Sequence, residues 1–419
     1  MISRIAYVGS LVLIAIGVFF WTLQLGDVTP LETYAAPLDD DAIAENTEQQ
    51  PTATAIFEAL PNPTEVTQIT IGVDGGLAAD APLRRASVQA ALELVTAQIN
   101  EAGGLLRKKL RVVVAEPAKK DDDTASMLRK FAALQTLAVF ASGDIGPTLP
   151  HLDADQRAPL LMLAPSSSSN TADDPSYLFR LAGRDEFADE FLVAEAMAMT
   201  SNVALFIEDS AWGRERKASL VAALQHEGAK PVSTQWFSAG AALHEQLDAA
   251  MAAGAGALVL AASADQASTF INTMMGTNHR LPIFAHGALA GGDFGGAHRE
   301  ALQEIELYFA QTEFGSSLQR KELFSEYRRL LSRDLPAAVG QDPTGFANAY
   351  DLMHLLVQAI QESHSCDAED VRIALGNLVQ HEGLIKDYES PFASDDNNAL
   401  GPDDFILCRF DTKGRVRRR

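Results

Sequence analysis

The sequence predicts an α/β protein with two Rossmann-like lobes, each built on a parallel sheet. From residue 69 onward, short β-branched and apolar runs alternate with segments of helical periodicity. The runs are apolar throughout, which is typical of strands covered by helices on both faces. The length of 419 residues exceeds what one hydrophobic core usually supports. The net charge of −23 predicts an acidic surface, so nucleic acid is not expected as a partner.

The chain begins with an apolar segment. Ile5–Leu25 carries no charge, and about 20 helical residues span the roughly 30 Å of a hydrocarbon core. Because Arg4 precedes it, the positive-inside rule predicts a transmembrane anchor over residues 1–25 with the body outside the cytoplasm. A cleaved signal peptide shares this order of basic residue, apolar run and polar region, and it remains the alternative. No small-x-small cleavage site directly follows the run.

A polar segment separates the anchor from the first strand. Residues 26–65 contain no Lys or Arg and are rich in Asp, Glu, Thr, Ala and Pro, without a sustained apolar period. Such a composition cannot bury enough apolar surface to fold. We predict a disordered acidic linker here.

The first βαβ unit follows the linker. Ile69–Val73 is a β-branched run, and Ser87–Asn100 has apolar residues at helical spacing. Gly103–Gly104 then provides a helix end, and Leu110–Val114 is the next predicted strand.

The same alternation continues along the chain. Further strands are predicted over Leu137–Ala141, Leu160–Ala164, Val203–Ile207, Leu258–Ala261 and Pro282–Ala285. Further helices are predicted over Thr124–Leu134, Glu186–Met199, Arg214–Glu227, Leu243–Ala253 and Ala264–Met275. In sheets of this kind, ligands bind at the carboxyl ends of the strands. The terminal basic run from Arg415 to Arg419 is expected to be a solvated tail.

Signatures of catalysis, metals and cofactors are missing from the sequence. There is no GxSxG, P-loop or HExxH motif, and no GxGxxG follows the first strand. Cys366 and Cys408 do not form a CxxC pair, which gives zinc or thioredoxin-like chemistry no support. One disulfide joining them and two separate thiols both fit the spacing. We predict a protein without enzymatic activity, metal or cofactor.

Several stretches together resemble one known family. These are ITIGVDGGLAA, PLLMLAPSSSSNT, SYLFRLAGRDEFADEF, VALFIEDSAWGRERKASLVAALQHEGAKPV and FANAYDLMHLLVQAIQES. Their order and spacing resemble the type I periplasmic-binding fold of the leucine/isoleucine/valine-binding proteins, over residues 68–412. The resemblance implies three crossovers between the lobes. It places lobe one at 66–184 and 313–400, and lobe two at 185–312 and 401–419.

The resemblance also implies ligand-binding loops in lobe one. Ser166, Ser167 and Ser168 occupy the loop whose hydroxyls and backbone N–H groups grip an amino-acid carboxylate in the family. They could instead cap the following turn. In a second loop, Gly146 stands near the position of the family's usual serine, so the backbone N–H of Gly146 or the hydroxyl of Thr148 would substitute.

In lobe two, Trp212 matches an aromatic residue of the family, which could stack on a ligand or attract an ammonium group. Simple packing is the alternative role. Ser263 replaces a further family aromatic, and His286 stands where many relatives have an acidic residue for the α-ammonium. Because an unpaired buried ammonium costs several kcal/mol, a standard aliphatic amino acid is less expected. Asp265 could supply the missing charge or cap a helix.

The expected function is capture of a small polar molecule, an amino acid or related compound, for an ABC-type importer by closure of two lobes. The expected partners are this ligand, a membrane permease and the membrane itself through the N-terminal helix, at the periplasmic face of the bacterial inner membrane. The alternative is a tethered sensory or accessory subunit that reports ligand binding to a sensor protein. A hydrolase-type enzyme is a third and weaker reading.

Overall fold

Two sheets organise the chain in a computed structural model that describes residues 68–74, 82–115, 124–141, 161–165, 177–238, 243–291, 293–312, 317–392 and 397–419. All of these residues lie in one unit, Ile56–Arg419. The predicted anchor and linker lie outside the described residues. Within the described ranges, no helix combines the length and hydropathy needed to cross a bilayer.

The strands fall into two larger sheets and one hairpin. They are β1 (Gln68–Asp74), β2 (Lys109–Ala115), β3 (Ala138–Phe140), β4 (Leu161–Ala164), β5 (Leu178–Arg180), β6 (Val203–Glu208), β7 (Ser233–Phe237), β8 (Ala257–Ala261), β9 (Ile283–Ala285), β10 (Leu307–Thr312), β11 (Gln380–Glu382), β12 (Asp387–Glu389), β13 (Phe405–Phe410) and β14 (Val416–Arg418).

Helices connect and cover the strands. They are α1 (Pro82–Glu101), α2 (Thr124–Ala133), α3 (Asp185–Met199), α4 (Ala211–His226), α5 (His244–Ala252), α6 (Ala264–Met275), α7 (Phe294–Ala297), α8 (Ala301–Glu304), α9 (Ser317–Leu331), α10 (Ala337–Gln341), α11 (Pro343–Ser363) and α12 (Ala368–Gly376). Short 3-10 turns cover Gly287–Gly291 and Pro402–Asp404.

The first sheet has five strands in the order β2-β1-β3-β4-β5, and every pair is parallel. One buried apolar cluster joins this sheet to α1 and α11, with Ile71 of β1, Leu92 of α1 and Phe346 of α11 among its members. Asp342 caps α11, since its carboxylate accepts the backbone N–H of Gly345, and Pro343 occupies the first helical turn. The late helix of the chain therefore belongs to the body of the first sheet.

The second sheet has seven strands in the order β14-β13-β10-β9-β8-β6-β7. From β7 to β10 the pairs are parallel. Alternate residues of β6 enter two separate cores: Phe206 packs in one, whereas Leu205 and Ile207 pack in the other. Because side chains alternate across a strand, a strand covered on both faces must be apolar throughout. The prediction of an α/β fold with parallel sheets is confirmed for the main strands.

The terminal basic run is not a solvated tail, contrary to the expectation. It forms β14, which pairs antiparallel with β13 at the edge of the second sheet. Asp411 accepts bonds from Arg415 Nε and Arg417 Nε, and the guanidinium carbon of Arg419 lies 4.7 Å from the ring centroid of Tyr308. The arginines are therefore used to close the sheet edge, where charged side chains discourage pairing with other chains.

The two cysteines do not form a disulfide. Cys408 is buried in β13, and the sulfur of half-buried Cys366 lies 3.8 Å from Lys108 Nζ. Of the two arrangements open from the sequence, the structure shows separate thiols.

Candidate functional site

A cavity of about 600 Å³ lies where the carboxyl ends of the second sheet's strands meet residues of the first sheet's body. Its polar lining residues are Arg84, Asp185, Glu208, Trp212, Glu215, Ser263, His286, Gln311, Thr312, Thr344 and Asn348. The position follows from the topology, because loops at the carboxyl ends of parallel strands gather at one edge of a sheet. Of the predicted ligand residues, the structure brings Trp212, Ser263 and His286 together here. Gly146, Thr148 and Ser166–Ser168 lie outside the described residues.

Glu208, the last residue of β6, holds two loops of the cavity wall together. Its Oε1 accepts the hydroxyl of Ser210 at 2.7 Å, and its Oε2 accepts the backbone N–H of Ser263 at 2.7 Å. Ser210 in turn caps α4 by accepting the backbone N–H of Gly213 at 2.9 Å. A Cβ at Gly213 would stand 2.0 Å from the carbonyl oxygen of Glu208. The glycine after the aromatic residue is therefore required by the close approach of α4 to β6.

Trp212 forms part of the cavity wall, and its ring also packs against neighbouring side chains of that wall. Its indole N–H donates to Asp185 Oδ2 at 2.9 Å. Its ring meets the ring of His286 edge-on, with centroids 5.2 Å apart and an interplanar angle of 78°, and the guanidinium carbon of Arg216 lies 6.0 Å from the ring centroid. These contacts fix the orientation of the half-buried ring, so one of its surfaces is presented to the cavity without rotational freedom.

Behind this wall lies a fully buried ionic group. Asp189 Oδ2 accepts from Arg216 Nη1 at 2.9 Å, and Asp189 Oδ1 lies 2.8 Å from His286 Nε2. Burial favours the neutral imidazole, but the adjacent carboxylate of Asp189 outweighs it and raises the pKa of His286 above 6.5. Since Nε2 is bonded to Asp189, Nδ1 is the remaining ring nitrogen of His286, which is itself a lining residue of the cavity.

Ser263 lies at the start of α6 and is exposed. Its backbone N–H donates to Glu208 Oε2, and its side chain makes no cap hydrogen bond. The hydroxyl is thus available at the cavity. Asp265 lies two residues after Ser263, in the first turn of α6, and is not part of the described cavity lining.

The facing wall belongs to helices of the first sheet's body. Arg84 of α1 forms an ion pair with buried Asp342, with Nε and Oδ2 3.0 Å apart. Asn348 of α11 donates from Nδ2 to the backbone oxygen of Pro165, directly after β4, at 2.9 Å. Thr344 donates its hydroxyl to Gln311 Oε1 of β10. The last contact joins the two bodies beside the cavity.

Comparison with known proteins decides the family. A profile described as periplasmic binding protein matches residues 68–413, which covers all described strands of both sheets except the last. The chain belongs to the periplasmic binding protein family. The family comprises substrate-binding proteins rather than enzymes, and membership implies a periplasmic location. Among curated proteins, a sequence search finds no match.

Solved structures show the same fold as this periplasmic binding protein. An ABC transporter substrate-binding protein from Desulfitobacterium hafniense, in complex with Leu, has a TM-score of 0.66 at 19% identity, covering 84% of this chain and 100% of that one. A branched-chain amino acid transporter substrate-binding protein from Streptococcus pneumoniae, in complex with isoleucine, gives 0.60 at 20% identity with the same coverages. A leucine-binding protein from Thermotoga maritima gives 0.59 at 16% identity, covering 84% and 97%. The type I fold and the resemblance to the branched-chain amino acid binding proteins are confirmed.

Sequence reasoning missed most of the charged lining of this periplasmic binding protein. Asp185, Glu208 and Glu215 bring carboxylates to the cavity, although no acidic residue directly follows β9. Glu208 and Asp185 could have been found, since one ends a predicted strand and the other begins a predicted helix after a crossover. Arg84 gives no comparable signal, because its place at the cavity depends on the packing of α1 against α11.

Proposed function

We propose that this periplasmic binding protein captures a small polar solute, an amino acid or related compound, and delivers it to an ABC-type importer without altering it. The observation that carries the proposal is the cavity of about 600 Å³, lined by polar residues of the second sheet and its helices and of helices that pack on the first sheet. This volume is within the range of small-molecule sites. The family and its solved relatives support solute capture as the class of function.

Capture requires two lobes that close on the solute. We assign residues 66–184 and 313–400 to one lobe and residues 185–312 and 401–419 to the other. The ligand would meet Trp212, Ser263 and His286 on the second lobe. From the first lobe, the backbone N–H of Gly146 and the hydroxyls of Thr148 and Ser166–Ser168 would reach it.

We further propose that Ile5–Leu25 tethers the protein to the periplasmic face of the inner membrane and that residues 26–65 act as a spacer. A tether raises the effective concentration of the binding protein near its permease. The mass of the mature protein tests this. An intact N-terminus in the membrane fraction supports the anchor, whereas a mature chain that begins near residue 27 or 37 contradicts it.

Thermal unfolding with a panel of amino acids, amides, short peptides and aromatic acids tests binding. A ligand at about 100 times its dissociation constant should add about 2.7 kcal/mol of stability. We expect Trp212→Ala to remove most of this gain, because the ring is held against the cavity by Asp185 and His286. Trp236→Ala is the matched control, since Trp236 lies exposed on β7 and away from the cavity.

The double variant Ser166→Ala/Ser168→Ala examines the other wall in the same assay. It should lose most of the ligand-induced stabilisation if these hydroxyls hold the solute. Should both cavity variants respond to ligand like the parent protein, the proposed site is wrong.

Uptake measurements separate transport from sensing. Cells lacking the protein should take up the identified solute more slowly, and the parent gene but not the Trp212→Ala gene should restore uptake. Unchanged uptake together with tight binding would favour a sensory or accessory subunit.

A further inference from the structure

The cavity wall formed by the second sheet has more acidic than basic groups. Asp185 and Glu208 line it, Asp189 lies directly behind it, and Glu215 on α4 adds a fourth carboxylate, half-exposed at its edge. Among the described residues of this wall, the cations are the guanidinium of Arg216 and, when protonated, the imidazole of His286. The wall therefore keeps an excess of at least two negative charges.

The facing wall does not offset this excess. Arg84, its described cation, is paired with buried Asp342, so the pair contributes no net charge. The stretches at residues 75–81, 142–150 and 166–176 contain no Lys or Arg, whereas Arg157 lies further along the connection from β3 to β4.

A second observation concerns buried acceptors beside the cavity. Asn348 and Thr312 both line it and are at least nine-tenths buried. Within the part of the chain that the structure describes, Asn348 Oδ1 and Thr312 Oγ1 form no hydrogen bond. Buried polar atoms are normally satisfied, so these two oxygens point to a bound polar group, which must donate to Asn348 Oδ1 and can donate to or accept from the hydroxyl of Thr312. A carbonyl oxygen such as Asn348 Oδ1 can only accept.

From these observations, we infer that the cavity selects a solute of net positive charge, whose side-chain ammonium or guanidinium group lies against Asp185 and Glu215 beside the ring of Trp212. The inference rests on the proposed function and adds the chemical class of the ligand. A zwitterionic aliphatic amino acid would bring one ammonium and one carboxylate and leave the excess of negative charge uncompensated. A second cationic group would compensate it and supply N–H donors to the buried acceptors.

Trp212 suits this class of solute. The face of an indole ring attracts a cation through its quadrupole, and the edge of this ring is fixed by the bond from its N–H to Asp185. The aromatic face and the carboxylates would therefore both attract the cationic group of the solute, from neighbouring positions. An anionic solute would meet repulsion from both.

The test is calorimetric titration of the full chain with matched pairs of solutes. L-arginine is compared with L-citrulline, which has nearly the same shape but a neutral side chain, and L-lysine with L-norleucine. Agmatine, which lacks the α-carboxylate of arginine, forms a third arm. We expect the cationic member of at least one pair to bind at least tenfold more tightly than its neutral counterpart, with the difference decreasing at high salt.

Two substitutions locate the effect. Glu215→Gln removes a charge from a half-exposed side chain and should leave folding intact, and Asp185→Asn retains an oxygen that can accept the indole N–H of Trp212. Each should weaken binding of the cationic solute about tenfold and leave binding of its neutral counterpart nearly unchanged. Asp209→Asn is the control, because Asp209 is exposed, pairs with Arg214 and does not line the cavity.

The outcomes separate this inference from the proposed function. If leucine or citrulline binds as tightly as arginine, and binding is lost in Trp212→Ala but not in Glu215→Gln or Asp185→Asn, solute capture stands and the cationic class is wrong. If none of these solutes nor any member of the wider panel binds, both proposals are wrong. Tighter binding of a cation that survives both substitutions also overturns the inference, since the charge would then be recognised elsewhere.

Discussion

Asp351 shows how one buried carboxylate fixes a distant hairpin. It is fully buried in α11, and its two oxygens accept the backbone N–H groups of Leu384 and Ile385, at 2.6 and 2.9 Å, and the hydroxyl of Tyr388 at 2.8 Å. Burial raises the pKa of Asp351 to about 6, although these three donors act against the rise. The carboxylate is therefore a structural acceptor for the connection between β11 and β12.

We expect Asp351→Asn to lower the free energy of unfolding by about 2–3 kcal/mol. The amide keeps one acceptor oxygen but turns an NH₂ group toward buried donors, which leaves at least one of them unsatisfied. Denaturant titration at pH 7 measures the change. Tyr388→Phe is the matched variant: it removes one donor and leaves the carboxylate its two backbone bonds, so its loss should be about 1 kcal/mol. Equal losses in the two variants would contradict this account.

His354, also on α11, is expected to make the fold sensitive to acid. Burial lowers its pKa from 6.5 to about 4, and neighbouring His381 acts in the same direction. A histidine whose pKa is depressed in the fold contributes stability above its unfolded pKa of 6.5, and this stability is lost as the pH falls toward 4. The difference corresponds to about 3 kcal/mol. Asp351 acts oppositely, since its raised pKa favours the fold below 3.8 and this contribution is lost as the pH rises through 6.

The variant His354→Phe isolates the histidine, because Asp351 is present in both proteins. We expect the loss of unfolding free energy between pH 7 and pH 4.5 to be about 2 kcal/mol smaller in the variant. Urea titrations at a series of pH values measure this. His226→Gln, at an exposed histidine on α4, should follow the parent curve, and a parent-like curve for His354→Phe would show that His354 is not the titrating group.

At the scale of elements, the ionic group around Asp189 joins three pieces of the second sheet's body. Asp189 lies on α3, Arg216 on α4 and His286 directly after β9. All three side chains are buried. Removing one partner from such a group leaves the remaining charge uncompensated, which costs far more than the loss of a surface pair.

We expect Asp189→Asn to lower the free energy of unfolding by about 3–5 kcal/mol, because the guanidinium of Arg216 would remain buried without its carboxylate. The pKa of His286 should fall as well, which NMR titration of the imidazole would detect. Asp209→Asn breaks an exposed pair with Arg214 and should change stability by no more than about 0.5 kcal/mol. A similar small change in Asp189→Asn would mean that Arg216 finds another partner.

The sequence predicted those elements whose side chains are buried on both faces. The apolar runs at β6 and β8 were found to within one residue, because a strand inside a parallel sheet has to be apolar throughout. β7 was missed, since this edge strand reads STQWF and is only partly buried. β10 was missed as well, and its last two residues, Gln311 and Thr312, are polar because they line the cavity. A strand can thus be predicted from the sequence where its residues are apolar throughout, and it is missed where edge or cavity-lining positions are polar.

The site was less predictable than the fold because charges reach it through tertiary packing. Trp212 and His286 were predicted as site residues from the resemblance to the family. The sequence indicated a lack of acidic residues near His286, whereas the structure brings Asp185 from a crossover and Glu215 from the next turn of α4. Neither residue is adjacent in sequence to the strand whose end it reaches. The spacing of residues along the sequence does not show that these two side chains come together at the cavity.

For the whole molecule, function depends on contacts between the two bodies. Gln311 is the last residue but one of β10, and Thr344 begins the helix that packs on the first sheet. Gln311 accepts the hydroxyl of Thr344 and donates to the backbone oxygen of Gly287 at 2.8 Å. A Cβ at Gly287 would stand 2.4 Å from the backbone oxygen of Ala310 and 2.5 Å from Gln311 Nε2. The glycine therefore makes room for the side chain that links the bodies beside the cavity.

If lobe closure traps the solute, removing this link should weaken binding without altering the cavity charges. We expect Gln311→Ala to raise the dissociation constant about five- to tenfold, corresponding to about 1 kcal/mol for a partly buried hydrogen-bonded contact. Closed and open forms differ in overall size. If the variant closes incompletely, X-ray scattering at saturating ligand should show a larger radius of gyration for the variant than for the parent protein. Gln303→Ala, at an exposed residue within α8, is the control. Unchanged affinity together with an unchanged scattering curve would show that this contact forms equally in the open and closed forms. A contact that is present in both forms cannot shift the balance between them.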